Sequence, residues 1–229
     1  MTIASSFAAI RADVDKAATA AGRDPKDISI LPVSKTHPVE MLEEALAAGL
    51  STFGENRVQE AQHKWEALAP SYPEIRFSII GPLQKNKAKY VARFAHEFQA
   101  LDSLELAAVL NDRLEKEDRH LDVFVQVNSS GEPQKSGVAP EECHLFIDAL
   151  SSFPRLRLVG LMTVAIDLSL SDESTVRACF ATTRQLRDDL LPGGHLSMGM
   201  SGDYHLAIEE GATIIRIGSA IFGKRDYAN

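Results

Sequence analysis

Eight short apolar runs, each followed by a stretch of helical periodicity, constrain how this chain can fold more than any other feature. They occupy residues 28–35, 51–55, 76–81, 97–102, 122–128, 157–164, 195–200 and 213–218. A strand that pairs parallel to its predecessor needs a crossover, usually a helix, to return the chain to the same edge. Eight such units in 229 residues suit a closed (β/α)8 barrel, a fold of about 250 residues. The rival α/β architecture, an open doubly wound sheet, carries a Gly-rich phosphate turn after its first strand. Here that turn reads Lys35-Thr36-His37-Pro38, without glycine. The pattern therefore predicts one α/β domain over residues 1–229, a (β/α)8 TIM-type barrel with an extra N-terminal helix.

That extra helix is read from Ile3, Phe7, Ile10, Val14 and Ala18, spaced by three and four residues and stopped at Gly22. Pro38 suits the first position of a helix over 38–48 that Gly49 ends. Val58, Ala61, Trp65 and Leu68 form the next apolar face, and Ser103 is placed to cap a helix bearing Leu106, Leu110 and Leu114. Pro140 opens a helix whose apolar residues include Leu145, Phe146 and Ala149. Residues 129–139 and 165–174 read as loops on the face where the strands end.

With 45% hydrophobic residues the chain can bury roughly three quarters of its unfolded surface. A formal charge of -8 argues against nucleic acid, whose binding needs clustered Lys and Arg. Cys143 and Cys179 are widely separated, and Arg11, Asp13 and Asp15 interrupt the N-terminal apolar pattern early. A cytoplasmic protein with no membrane association is expected. The seven histidines are scattered without ligand spacing, so no metal is expected.

The first run ends on an amine, Lys35. In a parallel barrel the C-terminal ends of all strands open onto one face, so Lys35, Asn56, Gly81, Asn128, Ser201 and Gly218 are expected to converge there. A lysine forms an imine as the neutral amine. At an ordinary pKa of about 10.4, roughly one in 2,500 is neutral at pH 7, and a neighbouring cation or burial raises that fraction. Arg216, on the strand that neighbours the first once the barrel closes, is such a cation; pairing with Glu55 or another acidic residue is its structural alternative. Facing a pyridine nitrogen, an arginine leaves that nitrogen unprotonated and the ring a weaker electron sink. Met200-Ser201-Gly202-Asp203 and Gly218-Ser219-Ala220 bring small residues and hydroxyls to helix starts, which suits a phosphate as well as an ordinary cap. Amine, guanidinium and phosphate turns at one rim point to covalently held pyridoxal phosphate. Lys135, in a polar loop, is either solvated or an anion contact.

Leu31-Pro32-Val33-Ser34-Lys35-Thr36, Phe53-Gly54-Glu55-Asn56-Arg57-Val58-Gln59-Glu60, Ile80-Gly81-Pro82-Leu83-Gln84-Lys85-Asn86-Lys87, Lys135-Ser136-Gly137, Gly160-Leu161-Met162, Leu196-Ser197-Met198-Gly199-Met200-Ser201 and Ile215-Arg216-Ile217-Gly218-Ser219-Ala220-Ile221-Phe222-Gly223 together resemble the YggS/PROSC-type pyridoxal phosphate homeostasis proteins over nearly the whole chain. The resemblance implies a barrel like the N-terminal domain of alanine racemase, without that enzyme's C-terminal β domain. It also implies an internal aldimine at Lys35, Arg216 facing the pyridine nitrogen, phosphate around Ser201, Gly202, Gly218 and Ser219, and a role in vitamin B6 and amino or keto acid balance without established catalysis. One departure is Ser78, where the family commonly has histidine.

Three functions compete on these residues. A cofactor carrier, with pyridoxal phosphate-dependent apoenzymes as candidate recipients and a monomeric barrel as its form, needs only the binding site. An amino-acid racemase or lyase needs a second acid–base group, for which Tyr204 is the candidate; the resemblance implies that alanine racemase takes that group from its further domain. A Schiff-base aldolase would use Lys35 on a sugar phosphate without any vitamin.

Overall fold

The computed structural model describes residues 2–132 and 134–223. Met1, Pro133 and residues 224–229, which the expected 1–229 domain and the 129–139 loop include, lie outside the described residues. The strands are β1 (Ser29–Pro32), β2 (Thr52–Glu55), β3 (Arg76–Ile79), β4 (Glu97–Leu101), β5 (Leu121–Val127), β6 (Leu156–Thr163), β7 (His195–Ser197) and β8 (Ile214–Ile217). Between and around them run α1 (Ile3–Ala20), α2 (Val39–Ala47), α3 (Val58–Leu68), α4 (Ala88–Phe94), α5 (Leu104–Lys116), α6 (Cys143–Leu150), α7 (Glu173–Leu190), α8 (Tyr204–Glu209) and α9 (Ser219–Phe222).

All eight strands pair in parallel in the order β1-β8-β7-β6-β5-β4-β3-β2. The β1–β8 ladder matches Ser29 with Ile214 and Leu31 with Arg216. Between β1 and β2 the ring is joined by a single bridge, Val33 to Gly54, and by the Ser34 amide donating to the Gly54 carbonyl at 3.0 Å. The result is a nearly closed barrel inside a layer of helices, as the strand–helix alternation predicts.

The helix layer buries the outward face of the strands. Phe53 and Phe77 of β2 and β3 meet at 6.1 Å, Phe77 meets Phe94 of α4 edge-on, and Trp65 of α3 stacks on Phe94 at 5.5 Å. Phe53 and Phe77 are fully buried, and each such side chain contributes roughly 1.5–3 kcal/mol through removal from water. Helix α1 packs against α9, α8 and α2, tying the chain's beginning to its last elements.

Three local expectations need correction. Pro38 precedes α2 as its N-cap instead of occupying the first helical position, because its ψ of 167° is extended. Pro140 opens a 3-10 turn, Pro140–Glu142, before α6 begins. Leu145 is 65% exposed: α6 buries Cys143, Phe146 and Leu150, spaced three and four residues apart, so Leu145 falls on the opposite face. Ser103 does cap α5, accepting from the Leu106 amide at 3.1 Å.

Inside the barrel the filling is partly polar. Arg216 Nη1 donates to Ser197 Oγ at 2.8 Å, Ser197 donates to Gln99 Oε1 at 2.6 Å, and Gln99 Nε2 donates to Glu97 at 2.6 Å. Ser78 donates to the same Glu97 oxygen. Buried polar atoms need such partners, since an unmade hydrogen bond costs about 1–3 kcal/mol.

Gly160 marks the tightest inter-strand approach. A Cβ there would lie 2.4 Å from the His195 carbonyl oxygen of β7 and 2.5 Å from the Phe124 ring. Gly160→Ala is therefore expected to cost about 1–3 kcal/mol by overpacking, read as a lower urea midpoint. An unchanged midpoint would show that β6 and β7 are not in this contact.

Candidate functional site

The loops leaving the C-terminal ends of the strands meet around a cavity of about 410 Å³. Lys35, Asn56, Ser201, Gly202, Arg216, Gly218 and Ser219 all line it, together with Val33, Ile80, Val164 and Met200. The seven candidate residues of the sequence thus share one cavity, although they come from separate parts of the chain. Gly81 and Asn128, also expected on this face, line an adjoining cleft that shares Asn56, Ile80 and Val164.

Arg216 lies at the base of the cavity and is only 4% exposed. It sits on β8, and its guanidinium is held by Ser197 Oγ and by the Thr163 carbonyl, each at 2.8 Å. Thr163 is itself fixed by donating to the Val127 carbonyl at 2.9 Å. Burial pushes the guanidinium down to about 10, opposed by the nearby Asp203 carboxylate, and it stays protonated at neutral pH. Glu55 is taken by Lys64, and the acidic residue near Arg216 is Asp203, with no hydrogen bond between the two; two of the five N–H donors of Arg216 are engaged among the described residues.

Lys35 stands in the turn after β1, not on the strand, because the β1 ladder ends at Pro32. Beyond it Val33 donates its amide to the Ile217 carbonyl at 2.8 Å and bridges to Gly54, and among the described residues no ladder continues past it. The next residue, Thr36, has φ +67°. A β-branched residue in the left-handed region is a steric outlier, a strain of about 1–3 kcal/mol that persists only where the surroundings enforce it. Beneath the turn, Lys64 of α3 is 3% exposed. Its ammonium donates to the Ser34 carbonyl at 2.8 Å, to Glu55 Oε1 at 2.6 Å and to Glu60 Oε1 at 2.7 Å. Ser34 Oγ also donates to Glu55 Oε1, at 2.6 Å. Burial pushes the Glu55 carboxyl up, and Lys64 and Ser34 offset part of that rise.

The remaining lining is shaped by turns. The Met200 amide donates to Asp203 Oδ1 at 2.6 Å, closing the turn that presents Ser201 and Gly202. Asp203 is buried, which raises its carboxyl, while the Met200 amide and Arg216 pull it down. Gly218 leads from β8 into α9, where Ser219 is exposed. Asn56 is packed beneath Gly81, where an added Cβ would lie 2.4 Å from the Asn56 carbonyl oxygen.

Other singled-out residues lie elsewhere. Lys135 lines a neighbouring cleft of about 330 Å³ and is held by Glu132 at 2.5 Å and the Ala165 carbonyl at 3.2 Å, so it is an anchored side chain and not a freely solvated one. Tyr204 is buried, and its phenol is pushed up by burial and by Asp13 of α1. Ser78, the departure from the family pattern, is buried in the barrel on Glu97 and does not line the cavity. The sequence reading missed Lys64, Glu60, Asp203, Ser197 and Gln99. For Lys64 a signal existed: it follows Ala61 by three residues and precedes Leu68 by four, on the apolar face of α3, and a fully buried lysine requires a partner.

An eight-stranded parallel barrel with a lysine and a buried arginine in one cavity defines the class to which the comparisons point. The model of the alanine racemase N-terminal domain matches residues 6–226. A pyridoxal phosphate homeostasis protein of Pseudomonas aeruginosa is 44% identical over 227 residues, covering 99% of this chain and 97% of its own. The structure of PipY from Synechococcus elongatus with pyridoxal phosphate bound is 31% identical, with a TM-score of 0.81 over 97% of this chain and 100% of that one. Alanine racemase from Corynebacterium glutamicum shares the fold, with a TM-score of 0.68 at 16% identity over 96% of this chain and 62% of that chain. The chain belongs to the alanine racemase N-terminal-domain family and, within it, to the pyridoxal phosphate homeostasis proteins.

The Lys64 cluster carries a stability test. Replacing Lys64 with methionine removes the cation that offsets burial at Glu55, so the folded-state pKa of Glu55 rises further above its unfolded value. A carboxyl raised in this way supports the fold below its unfolded pKa and withdraws that support as pH climbs through the folded value. Lys64→Met is expected to cost roughly 3–5 kcal/mol, more at about pH 8 than at about pH 5, with Glu55→Gln relieving the excess. Urea denaturation at both pH values checks it, and a pH-independent loss would contradict it.

Proposed function

We propose that this protein binds pyridoxal 5'-phosphate in the Lys35–Arg216 cavity and serves vitamin B6 homeostasis as a carrier. The carrying observation is the meeting of Lys35, Arg216 and the Ser201 and Ser219 turns around one cavity. Its volume of about 410 Å³ falls within the roughly 300–1,000 Å³ of small-molecule sites. Lys35 is the amine that would hold the cofactor's aldehyde carbon. Arg216 has donors left for the pyridine nitrogen. Ser201, Gly202, Gly218 and Ser219 offer hydroxyls and close backbone approach to a phosphate, and Asn56 lines the same cavity and would be available to the bound cofactor. When bound, the group supplies an electrophilic carbon and an electron-accepting ring, which an arginine partner keeps weak. The name of the Pseudomonas aeruginosa relative and the cofactor in PipY support this reading.

Holding is favoured over turnover. Apart from Lys35 and Arg216, the described residues lining the cavity are hydroxyl, amide, glycine and apolar groups, whereas racemisation needs a second acid–base group on the opposite face. Tyr204, the candidate for that role, is buried within reach of the Asp13 charge and is not among the lining residues. No helix among the described residues is long and apolar enough to cross a membrane. We place the protein in the cytoplasm, with residues 1–229 as one cofactor-binding domain, acting as a monomer that releases the cofactor to apoenzymes.

Incubation with pyridoxal phosphate is expected to give a yellow protein whose visible band disappears on borohydride reduction, with the ring recovered by mass spectrometry on the peptide containing Lys35. Lys35→Ala is expected to abolish that label. Recovery of the ring mainly on another lysine, or protein that stays colourless, would overturn the assignment and favour the aldolase reading. Rapid Tyr204-dependent racemisation of a single-enantiomer amino acid would overturn the carrier reading.

A further inference from the structure

All three N–H donors of the Lys64 ammonium converge on the segment that carries Lys35. One goes to the carbonyl of Ser34, immediately before Lys35. A second goes to Glu60 Oε1, and that same oxygen accepts the amide of Thr36, immediately after Lys35, at 2.5 Å. The third goes to Glu55 Oε1, which also receives the Ser34 hydroxyl. The peptide units on both sides of Lys35 are thus tied to one buried ammonium, directly on one side and through a carboxylate on the other. On the outer side the His37 amide donates to the Ser34 carbonyl at 3.1 Å, and the His37 ring stacks on Phe222 of α9 at 5.3 Å.

We infer that Lys64, Glu60 and Glu55 form a positioning clamp that aims Lys35 into the cavity. This rests on the assignment of Lys35 as the cofactor amine. The clamp supplies what the strained conformation of Thr36 needs: if its amide loses Glu60, the residue can relax out of the left-handed region, and rotation there redirects the preceding side chain. A buried ion pair kept only for stability has no reason to converge on the two peptide units around one lysine. Buried pairs are weak evidence of net stabilisation, because desolvation consumes much of their attraction. Of the three residues Glu60 is the most accessible, with 25% of its side chain exposed, so it is the one to alter with least risk to the fold.

The test compares Glu60→Ala, which removes the acceptor, with Glu60→Gln, which keeps an oxygen for the Thr36 amide. Pyridoxal phosphate affinity and the circular dichroism of the cofactor band are measured on each full-length protein. In parallel, acetylation of Lys35 by acetic anhydride is measured without cofactor, relative to Lys16, whose side chain is 80% exposed. Glu60→Ala is expected to weaken affinity more than threefold, to diminish the induced band and to change the Lys35 labelling ratio more than threefold. Glu60→Gln is expected to restore all three to within threefold of wild type. Should Glu60→Ala fail to fold, the paired change Lys64→Met with Glu55→Gln removes the clamp's hold on the Ser34 carbonyl without stranding a fully buried charge, and shifts in the same readouts are expected. Affinity or labelling within threefold of wild type in the variant lacking the clamp, or no rescue by glutamine, would overturn the inference. If wild type takes up cofactor at a different lysine, the assignment of Lys35 fails, and the cofactor-free labelling ratio still decides the clamp.

Discussion

Hydrogen bonds between the first strand and the last turn a row of strands into a ring, and the cavity exists because of them. In the β1–β8 ladder Leu31 stands opposite Arg216, so the turn that follows β1 rises directly above the guanidinium. In an open sheet with β1 and β8 as its edges, the same two residues would be separated by the full width of the molecule. Closure also removes the exposed strand edges that invite aggregation. Packing of α1 against α8 and α9 reinforces the junction from outside.

Polar groups are sparse in this core and almost always occur in connected sets. Behind Arg216, a string of hydrogen bonds runs through Ser197 and Gln99 to Glu97 and Ser78. Beneath Lys35, Lys64 joins two carboxylates and two backbone groups. A buried ammonium without such partners would shed its proton or destabilise the fold, and a buried guanidinium, which keeps its proton, would destabilise it. Each of the two cationic sides of the cavity is thus backed by its own network, and each network begins on a strand end and reaches into a different layer. One lies inside the barrel; the other lies between barrel and helix.

Much of this was legible in the sequence. Apolar runs alternating with helical stripes are a long-range signal, and all eight strands appeared within a few residues of their expected places. Strand ends were less legible because pairing geometry, not composition, decides them: 28–35 reads as one apolar run, yet β1 stops at Pro32 and leaves Lys35 in a turn. That the seven candidate residues line one cavity was legible because closure of a parallel barrel gathers strand ends on one face. The networks that support them were not. Gln99 and Ser197 occupy interior positions that periodicity cannot separate from outward ones when both faces are buried, and the pairing of Lys64 with Glu55 and Glu60 depends on how α3 is seated on β2. Leu145 failed for a simpler reason, since apolar character alone does not choose a face of a short helix.

A crystal structure of the protein with pyridoxal phosphate tests the central claim most directly. Continuous electron density from Lys35 Nζ to the cofactor's aldehyde carbon is expected, with the Arg216 guanidinium within hydrogen-bonding distance of the ring nitrogen and the phosphate against Ser201 and Ser219. Cofactor bound in another cleft, or a ring nitrogen turned away from Arg216, would contradict the account.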